Sequence, residues 1–474
     1  MFVNKPKIII AGTHSGVGKT SVSLAVMAGL TKAGYHVQPY KVGPDYIDPD
    51  YHQAVTGYAS HNLDSWLLKT ETVQWLFQTT SQNCDIAVIE GVMGLYDGFS
   101  STDDFGSTAQ IAKLLKAPVI LVVDAKSMAR SVSAIIKGYQ TLDSDIHIAG
   151  VILNKVSSLH HAAILKESIA FYNKIPVMGC VPKDERVMIP ERYLGLQTAS
   201  ENSQFKSCEE SLLAYTFMDD AKELGVNLKN ILTTAKTNLS SLDIIEEENL
   251  EHRQCLKNLK KKSVRIAYAK DEAFQFYYQA NLDFLETCGV ELIPFSPLHD
   301  RMLPNNIHGL YFGGGFPEMH AQRIEKNITL RHAIKELIDK GIPTYAECGG
   351  LIYLAEKVKD LEGKCWEMTR AISGTIEMTS RLQNFGYCEN TFLQDTFLGD
   401  AGDSFRGHEF HYSQWSHEGC DSAYRVEKKR RKSKRNEGYF KNNILASYIH
   451  CHFLSSPQIA INFITSSQKW NHHA

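Results

Sequence analysis

The chain is short of the features that mark several protein classes. Its 474 residues carry 50 Lys and Arg against 53 Asp and Glu, a formal charge of −3, so no global basic field points to nucleic acid. The longest apolar run is about "APVILVV" (Ala117–Val123), far too short to span a bilayer. The opening "MFVNKPKIIIAG" lacks the long apolar region and small-residue cleavage site of a signal peptide. The 10 cysteines are scattered with no C-x-x-C pair, which argues against a zinc ribbon and against a disulfide framework. A reducing cytoplasm is the expected compartment. There is no internal repeat. One local run is strongly charged, "KKRRKSKR" (Lys428–Arg435), and reads as a solvated hairpin tip in preference to a nucleic-acid patch.

What is present is globular: 43% hydrophobic and 22% charged residues, in a chain long enough for two or three domains. The runs "KIIIAG", "VQPYKVG", "DIAVIEG", "PVILVVD" and "IAGVILN" are short, rich in Ile and Val, and end in Gly, Asp or Asn. Longer amphipathic stretches such as Val22–Ala33 lie between them, which predicts a buried parallel sheet with helices on both faces. A second α/β series begins with "VRIAYAK" and continues through "VELIPF", "GLYFGGG" and "IPTYAE". The polar stretch between them predicts a first domain over residues 1–235, a linker over 236–262 and a second domain over 263–474.

"IIIAGTHSGVGKTSVS" places a strand directly before a Gly-rich turn and a helix directly after it. Gly16 and Gly18 let backbone N–H groups turn onto phosphate oxygens, Lys19 can reach terminal phosphates, and the Thr20 hydroxyl can hold Mg²⁺. The candidate nucleotide loop is therefore Gly16, Val17, Gly18, Lys19, Thr20 and Ser21. It is a variant: Thr13 stands where the standard loop has its first glycine, and Gly12 comes one residue earlier. Mg²⁺ also needs carboxylates. Asp45 and Asp48 follow the second strand-like run, and Glu90 and Asp97 the third. Ligands of an open parallel sheet gather at the carboxyl ends of its strands. Thr20, Asp45 and Glu90 are the expected metal set, while Asp48 and Asp97 either join the site or cap turns. Asn154, ending "GVILN", is a candidate base-reading residue or a simple turn.

"IPTYAECGGLIYLAEKV" reads as a strand, a sharp turn at Cys348 and an amphipathic helix. A helix N-terminus favours a thiolate, and Gly349 and Gly350 allow the tight backbone of a nucleophile elbow. Upstream, "GLYFGGGFPE" can present backbone N–H groups to a developing oxyanion, with Gly314 and Gly315 the candidates. His408 and His411 in "RGHEFHYS" stand three apart, a spacing that puts them on opposite faces of a strand. They read as substrate or interface contacts, or as structural, ahead of metal ligands.

"AGTHSGVGKTSVS", "KVGPDYIDPDYH", "NLDSWLL", "EGVMGLYDGF" and "GSTAQIAKLL" together resemble the cobyrinic acid a,c-diamide synthase family, with dethiobiotin synthetase a more distant relative. The Cys elbow and the glycine turn resemble a class I glutamine amidotransferase domain. The resemblance implies a P-loop NTPase-like parallel-sheet domain joined to an α/β amidotransferase domain, and a C–N-forming ligase that uses ATP, Mg²⁺ and glutamine in cobalamin biosynthesis. ATP would phosphorylate the a and c carboxylates of cobyrinic acid, and ammonia from glutamine would displace the phosphate. Hydrogenobyrinic acid and nickel-sirohydrochlorin remain alternative tetrapyrroles, and a ParA/MinD-like positioning ATPase an alternative of another class. Asp45, Tyr46, Asp48 and Asp97 are the residues expected to face the substrate. The resemblance aligns His450, in "ASYIHCHF", with the catalytic base. His452 stands where many relatives carry Glu. Adjacent strand residues alternate faces, so His450 and His452 would share a face and Cys451 would pack on the other. No nucleic-acid or membrane partner is expected, and homodimerisation stays open.

Overall fold

The computed structural model describes residues 4–184, 205–218, 224–240, 263–416, 422–430 and 432–470, with a few further positions between 186 and 253. Most of the expected linker lies outside the described residues. The chain forms two compact units, Met1–Glu246 and Glu247–Ala474. Among the described residues no helix is long and apolar enough to cross a membrane.

The first unit is built on a nine-stranded sheet. Its strands β1 (Lys7–Gly12), β2 (Val37–Val42), β3 (His61–Leu63), β4 (Ile86–Glu90), β5 (Val119–Asp124), β6 (Ile148–Val156) and β7 (Val177–Pro182) run parallel. The order from one edge is β3, β2, β4, β1, β5, β6, β7. Gly225–Asn227 then adds antiparallel to β7, and Thr216–Phe217 lies outside it. β1, "KIIIAG", and β4, "IAVIE", are buried at every residue, as a strand covered on both faces must be.

Helix α1 (Lys19–Lys32) departs from its amphipathic expectation. Val22 through Leu30 are all buried, Ser23 included. The reason is a third layer: helix Leu228–Thr237 contributes Leu228, Ile231, Leu232 and Ala235 to the same core, and helix Phe205–Ala214 contributes Cys208 and Leu212. A Cβ on Gly29 of α1 would come within 2.7 Å of the Leu228 side chain, so the close approach needs glycine there.

The second unit holds a ten-stranded mixed sheet. Five strands are parallel, in the order Val290–Phe295, Val264–Ala269, Gly309–Phe312, Thr344–Glu347 and Ile444–Ser447. Antiparallel strands continue it: Ser433–Lys441, Ser422–Lys428, Asn384–Phe392, Ser404–His411 and the pair His450–Cys451. The chain leaves the sheet centre at Ser447 and three residues later pairs at its far end, with His450 opposite His408. The sheet therefore curls back on itself, and the Cys451 N–H reaches the Glu347 carboxylate at 2.9 Å.

The basic run does turn a hairpin, between Ser422–Lys428 and Ser433–Lys441. Its tip is exposed at Lys429, Arg430 and Lys432, as expected, but its two ends turn inward. Lys428, 5% exposed, lies 2.6 Å from Glu409, and Arg435 pairs with the same buried carboxylate. An acid buried between strands needs such partners, and the run supplies them.

Candidate active sites

At the phosphate end, the turn after β1 keeps His14, Ser15 and Gly16 exposed and buries Lys19. Gly16 and Gly18 have φ of 81° and 94°, the left-handed region that glycine tolerates. Gly12 is needed for a different reason: a Cβ there would meet Val17 Cγ2 at 2.6 Å and Lys19 Cγ at 2.9 Å. At the variant position, the Thr13 N–H donates to Val122 O at 3.2 Å, and the Tyr139 hydroxyl donates to Thr13 O. Lys19 Nζ donates to His14 O at 3.4 Å. Ser21 continues α1 beside Thr20.

Asn154, at the end of β6, donates from Nδ2 to Val17 O at 2.8 Å and fills the space a Gly18 side chain would need. Its amide braces the loop in this state.

The carboxylates gather at the ends of β2 and β4. The Thr20 hydroxyl donates to Glu90 Oε1 at 2.7 Å and lies 3.5 Å from Asp48 Oδ2. Lys41, near the end of β2 and 3% exposed, is the residue the motif reading missed. Its ammonium pairs with Asp48, with Glu90 at 2.9 Å and with Asp45 at 3.7 Å. His52, on helix α2 (Ile47–Thr56), meets Glu90 Oε2 at 2.7 Å through Nε2. Asp45 is split between roles: Oδ1 accepts the Ile47 N–H at 2.8 Å at the head of α2, while Oδ2 faces Lys41. Tyr46 precedes α2 and is half-buried. Asp97 is exposed and closes its own turn, accepting from the Gly94 N–H at 3.0 Å.

Burial alone would raise the pKa of Glu90, but the Lys41 ammonium and His52 hold it well below the usual carboxylate range. Asp48 goes the other way. Burial, then the charges of Asp45 and Glu90, push it well up despite Lys41. Three carboxylates thus face one ammonium, and Asp48 is the one driven toward its protonated, neutral form. Among the described residues no three acidic, imidazole or thiol side chains converge on a single metal position. Mg²⁺ is commonly held by one or two carboxylates together with substrate phosphates, so a hydroxyl beside Glu90 and an Asp48 carboxyl whose proton a cation would displace fit that ion.

At the cysteine end, Cys348 follows strand Thr344–Glu347 with φ 47° and ψ −100°, a strained conformation for a residue with a side chain. The helix after it, Gly349–Leu354, is six residues long and buried at every one, shorter and less amphipathic than the sequence predicts. A Cβ on Gly349 would lie 2.9 Å from Gly315 N, and one on Gly314 would lie 2.5 Å from His450 Cε1 and 3.4 Å from Nε2. The glycine turn, the elbow and the His450 ring therefore meet. The Cys348 N–H is spent on Ser447 O at 2.7 Å, which leaves the turn and the Gly349 N–H as the oxyanion candidates.

The short helix does not produce a resting thiolate. Burial, then the Glu318 charge, push the Cys348 thiol up, with the Gly349 N–H acting in the opposite sense. Its S–H makes a weak contact with Phe410 O at 3.7 Å. His450, 2% exposed, is lowered to about 3 by burial and by the neighbouring His408 and His411. The thiol and the imidazole are both driven toward their neutral forms, so attack by the thiolate requires the thiol proton to be taken up by a base.

His408 packs edge-on to Phe385 and Tyr387, and His411 stacks on Tyr448 at 3.8 Å. His452 lies against the Tyr278 ring, with centroids 4.7 Å apart.

Comparison with known proteins agrees with this division of the chain. Residues 8–194 match the CobQ/CobB/MinD/ParA nucleotide binding domain, and residues 265–458 the CobB/CobQ-like glutamine amidotransferase domain. The chain is 45% identical to the cobyrinate a,c-diamide synthase of Caldanaerobacter subterraneus subsp. tengcongensis, over 93% of this chain and 94% of that one. It is 43% identical to the enzyme of that name from Listeria innocua, over 98% of this chain and all of the relative. For Dehalococcoides mccartyi the identity is 41%, over 98% and 99%.

Proposed function

Since the chain belongs to the cobyrinate a,c-diamide synthase family, we propose that it amidates the a and c carboxylates of cobyrinic acid, using ATP and glutamine, in cobalamin biosynthesis. The observation that carries this reading is the pairing of two chemistries in one chain: a phosphate loop facing clustered carboxylates, and a strained cysteine and a neutral histidine that approach the same glycine turn. A positioning ATPase has no use for the second. The names of the relatives favour cobyrinate over the metal-free and nickel tetrapyrroles.

At the first site the substrate carboxylate and the γ-phosphate of ATP are both anions, and their repulsion must be offset. Lys19 lies at the loop for the phosphates, and Lys41 is a fixed cation among the acids. Thr20, Glu90 and Asp48 would hold Mg²⁺, which supplies charge neutralisation across the transferring phosphoryl group when bound. His52 fixes Glu90 from behind. Asp45 and Tyr46, at the head of α2, and Asp97 are placed to line the substrate side. Phosphoryl transfer to the carboxylate makes an acyl phosphate and ADP. Ammonia then displaces phosphate and leaves the amide.

At the second site His450 takes the thiol proton as Cys348 attacks the glutamine side-chain carbonyl. The N–H groups of the Gly314–Gly315 turn and of Gly349 would receive the oxyanion. Ammonia departs with a proton returned by His450, and water cleaves the thioester to glutamate. The small-molecule partners are thus glutamine, ATP and the tetrapyrrole, in a cytoplasmic setting.

Mass spectrometry of the products formed from cobyrinic acid with glutamine, ATP and Mg²⁺ tests the reading. Gain of two amides is expected. Absence of amidated product, with product instead from hydrogenobyrinic acid or nickel-sirohydrochlorin, reassigns the substrate.

A further inference from the structure

Four carboxylates lie near Cys348 and His450: Glu347 and Glu409 are buried and Glu318 and Glu437 half-buried, and Glu318 acts on the Cys348 thiol. Glu409 is held by Lys428 and Arg435. Glu437 accepts from the Ser447 hydroxyl and the Tyr448 N–H, each at 2.7 Å. Glu347 immediately precedes the nucleophile. Its Oε1 accepts the Tyr345 hydroxyl at 2.7 Å and the Cys451 N–H at 2.9 Å, and its Oε2 accepts the Tyr311 hydroxyl at 3.2 Å. That second oxygen also faces His450 Nδ1 at 3.9 Å, with both side chains buried. The opposite edge of the ring, Cε1 and Nε2, is turned toward the glycine at 314. His452, which follows the base where many class I amidotransferases carry Glu, is packed on Tyr278.

We propose that Glu347 is the positioning carboxylate for His450, delivered by the strand that carries the nucleophile in place of the segment that follows the base. A distance of 3.9 Å is too long for a hydrogen bond in the resting state but lies within ion-pair range. Hydrogen bonds of catalytic groups commonly tighten only when substrate is present. In its ionised form, which it reaches as pH rises through about 7, the Glu347 carboxylate on the Nδ1 side favours the tautomer with its proton on Nδ1, which leaves the Nε2 lone pair to accept the proton of Cys348. Once His450 becomes an imidazolium, the same carboxylate stabilises it. Three donors fix the acid, so the ring adjusts to the acid and not the reverse.

The inference rests on the Cys348–His450 glutaminase reading. Glu347→Gln keeps the volume and an acceptor for Tyr345 and Cys451, but turns an N–H₂ group toward Nδ1. Glutaminase kcat is expected to fall ~100-fold or more with KM for glutamine within about threefold, following the scale of tautomer-disrupting changes in other triads. Ammonia-driven amidation at the other site serves as the control for folding. Tyr345→Phe removes a donor to the same carboxylate without altering the oxygen that faces His450, and is expected to cost much less. Equal losses in the two variants, or a Glu347→Gln kcat within about threefold of the parent, would overturn the proposal. A ¹⁵N-histidine NMR measurement on the parent protein, with His450 assigned by loss of its signal in His450→Asn, needs no Glu347 variant to fold. A neutral ring protonated at Nδ1 supports the proposal and one protonated at Nε2 overturns it. If Cys348→Ala retains glutaminase activity, the underlying reading fails. If Cys348→Ala is inactive and Glu347→Gln is fully active, only the inference fails.

Discussion

The two sites solve opposite electrostatic problems. Around Thr20, the acids Asp45, Asp48 and Glu90 and the cation Lys41 are packed within salt-bridge distance, and Glu90 is held ionised in complete burial. Around Cys348 the reacting groups are neutral at rest: a thiol pushed up by burial and an imidazole pushed down by it. On the proposed reading, the first site brings anions together and so needs fixed charge. On the same reading, the second moves a proton between two groups, and a permanent ion pair there would offer the base nothing to accept. The same physical factor, desolvation, is countered by partners in one site and left to act in the other.

The sharpest way to separate the sites is to remove one reacting group from each. Cys348→Ala is expected to lower glutamine-dependent amidation by ~10³-fold or more while ammonia still supports the reaction, because loss of a nucleophile removes the covalent step alone. Lys19→Ala is expected to remove amidation from either nitrogen source. Assays of each variant with glutamine and with an ammonium salt check both. Loss of both activities in a folded Cys348→Ala protein breaks the division.

Lys41→Met probes the charged site at smaller cost. It leaves Asp48 and Glu90 buried without their ammonium, and removal of one partner of a buried pair costs about 3–5 kcal/mol. A lower urea midpoint and a fall of at least tenfold in ammonia-driven amidation are expected, with glutaminase turnover kept. An unchanged midpoint would mean that the acids take up protons freely, and the contrast between the sites would weaken.

The smallest effect is one of pH. Burial raises Glu347 from 4.5 to about 7. The groups that face it are Tyr311, Tyr345, His450 and the Cys451 backbone and thiol. Between those pH values the folded chain keeps a proton that the unfolded chain has lost. This contribution to stability is therefore complete below about 4.5 and is lost as pH rises through about 7, by ~1.4 kcal/mol per unit at most. His450 acts in the other sense. Its folded-state value is depressed from 6.5 to about 3, so its contribution is present above about 6.5 and lost as pH falls toward 3. Urea midpoints of the full chain are expected to show Glu347→Gln gaining on the parent by ~3 kcal/mol between pH 4.5 and 7. A constant difference would show that Glu347 is not raised.

Much of this arrangement was legible in the sequence, and the exceptions share a cause. "KIIIAG" and "PVILVVD" announce buried parallel strands, and "GVGKTS" and "AECGG" announce the turns that follow strands, because those signals are local. Lys41 and Glu347 carried a local signal as well: each is a lone charge in an apolar strand run. Their meaning depends on partners far along the chain. Glu90 lies 49 residues from Lys41, and Cys451 lies 104 from Glu347. The amphipathic reading of α1 failed in the same way. A helix covered on its outer face by Leu228–Thr237 has no solvated side for a pattern to record. The basic run was read from composition, which cannot show that Lys428 and Arg435 turn toward one buried acid.

The backbone at Cys348 has a consequence for how such proteins diverge. A non-glycine residue held at positive φ in so sparsely populated a conformation stores ~1–3 kcal/mol. Glycine at the same position would release it. Laboratory selection for heat resistance alone would therefore enrich Cys348→Gly and discard glutamine use, while an organism with abundant ammonia would tolerate the loss.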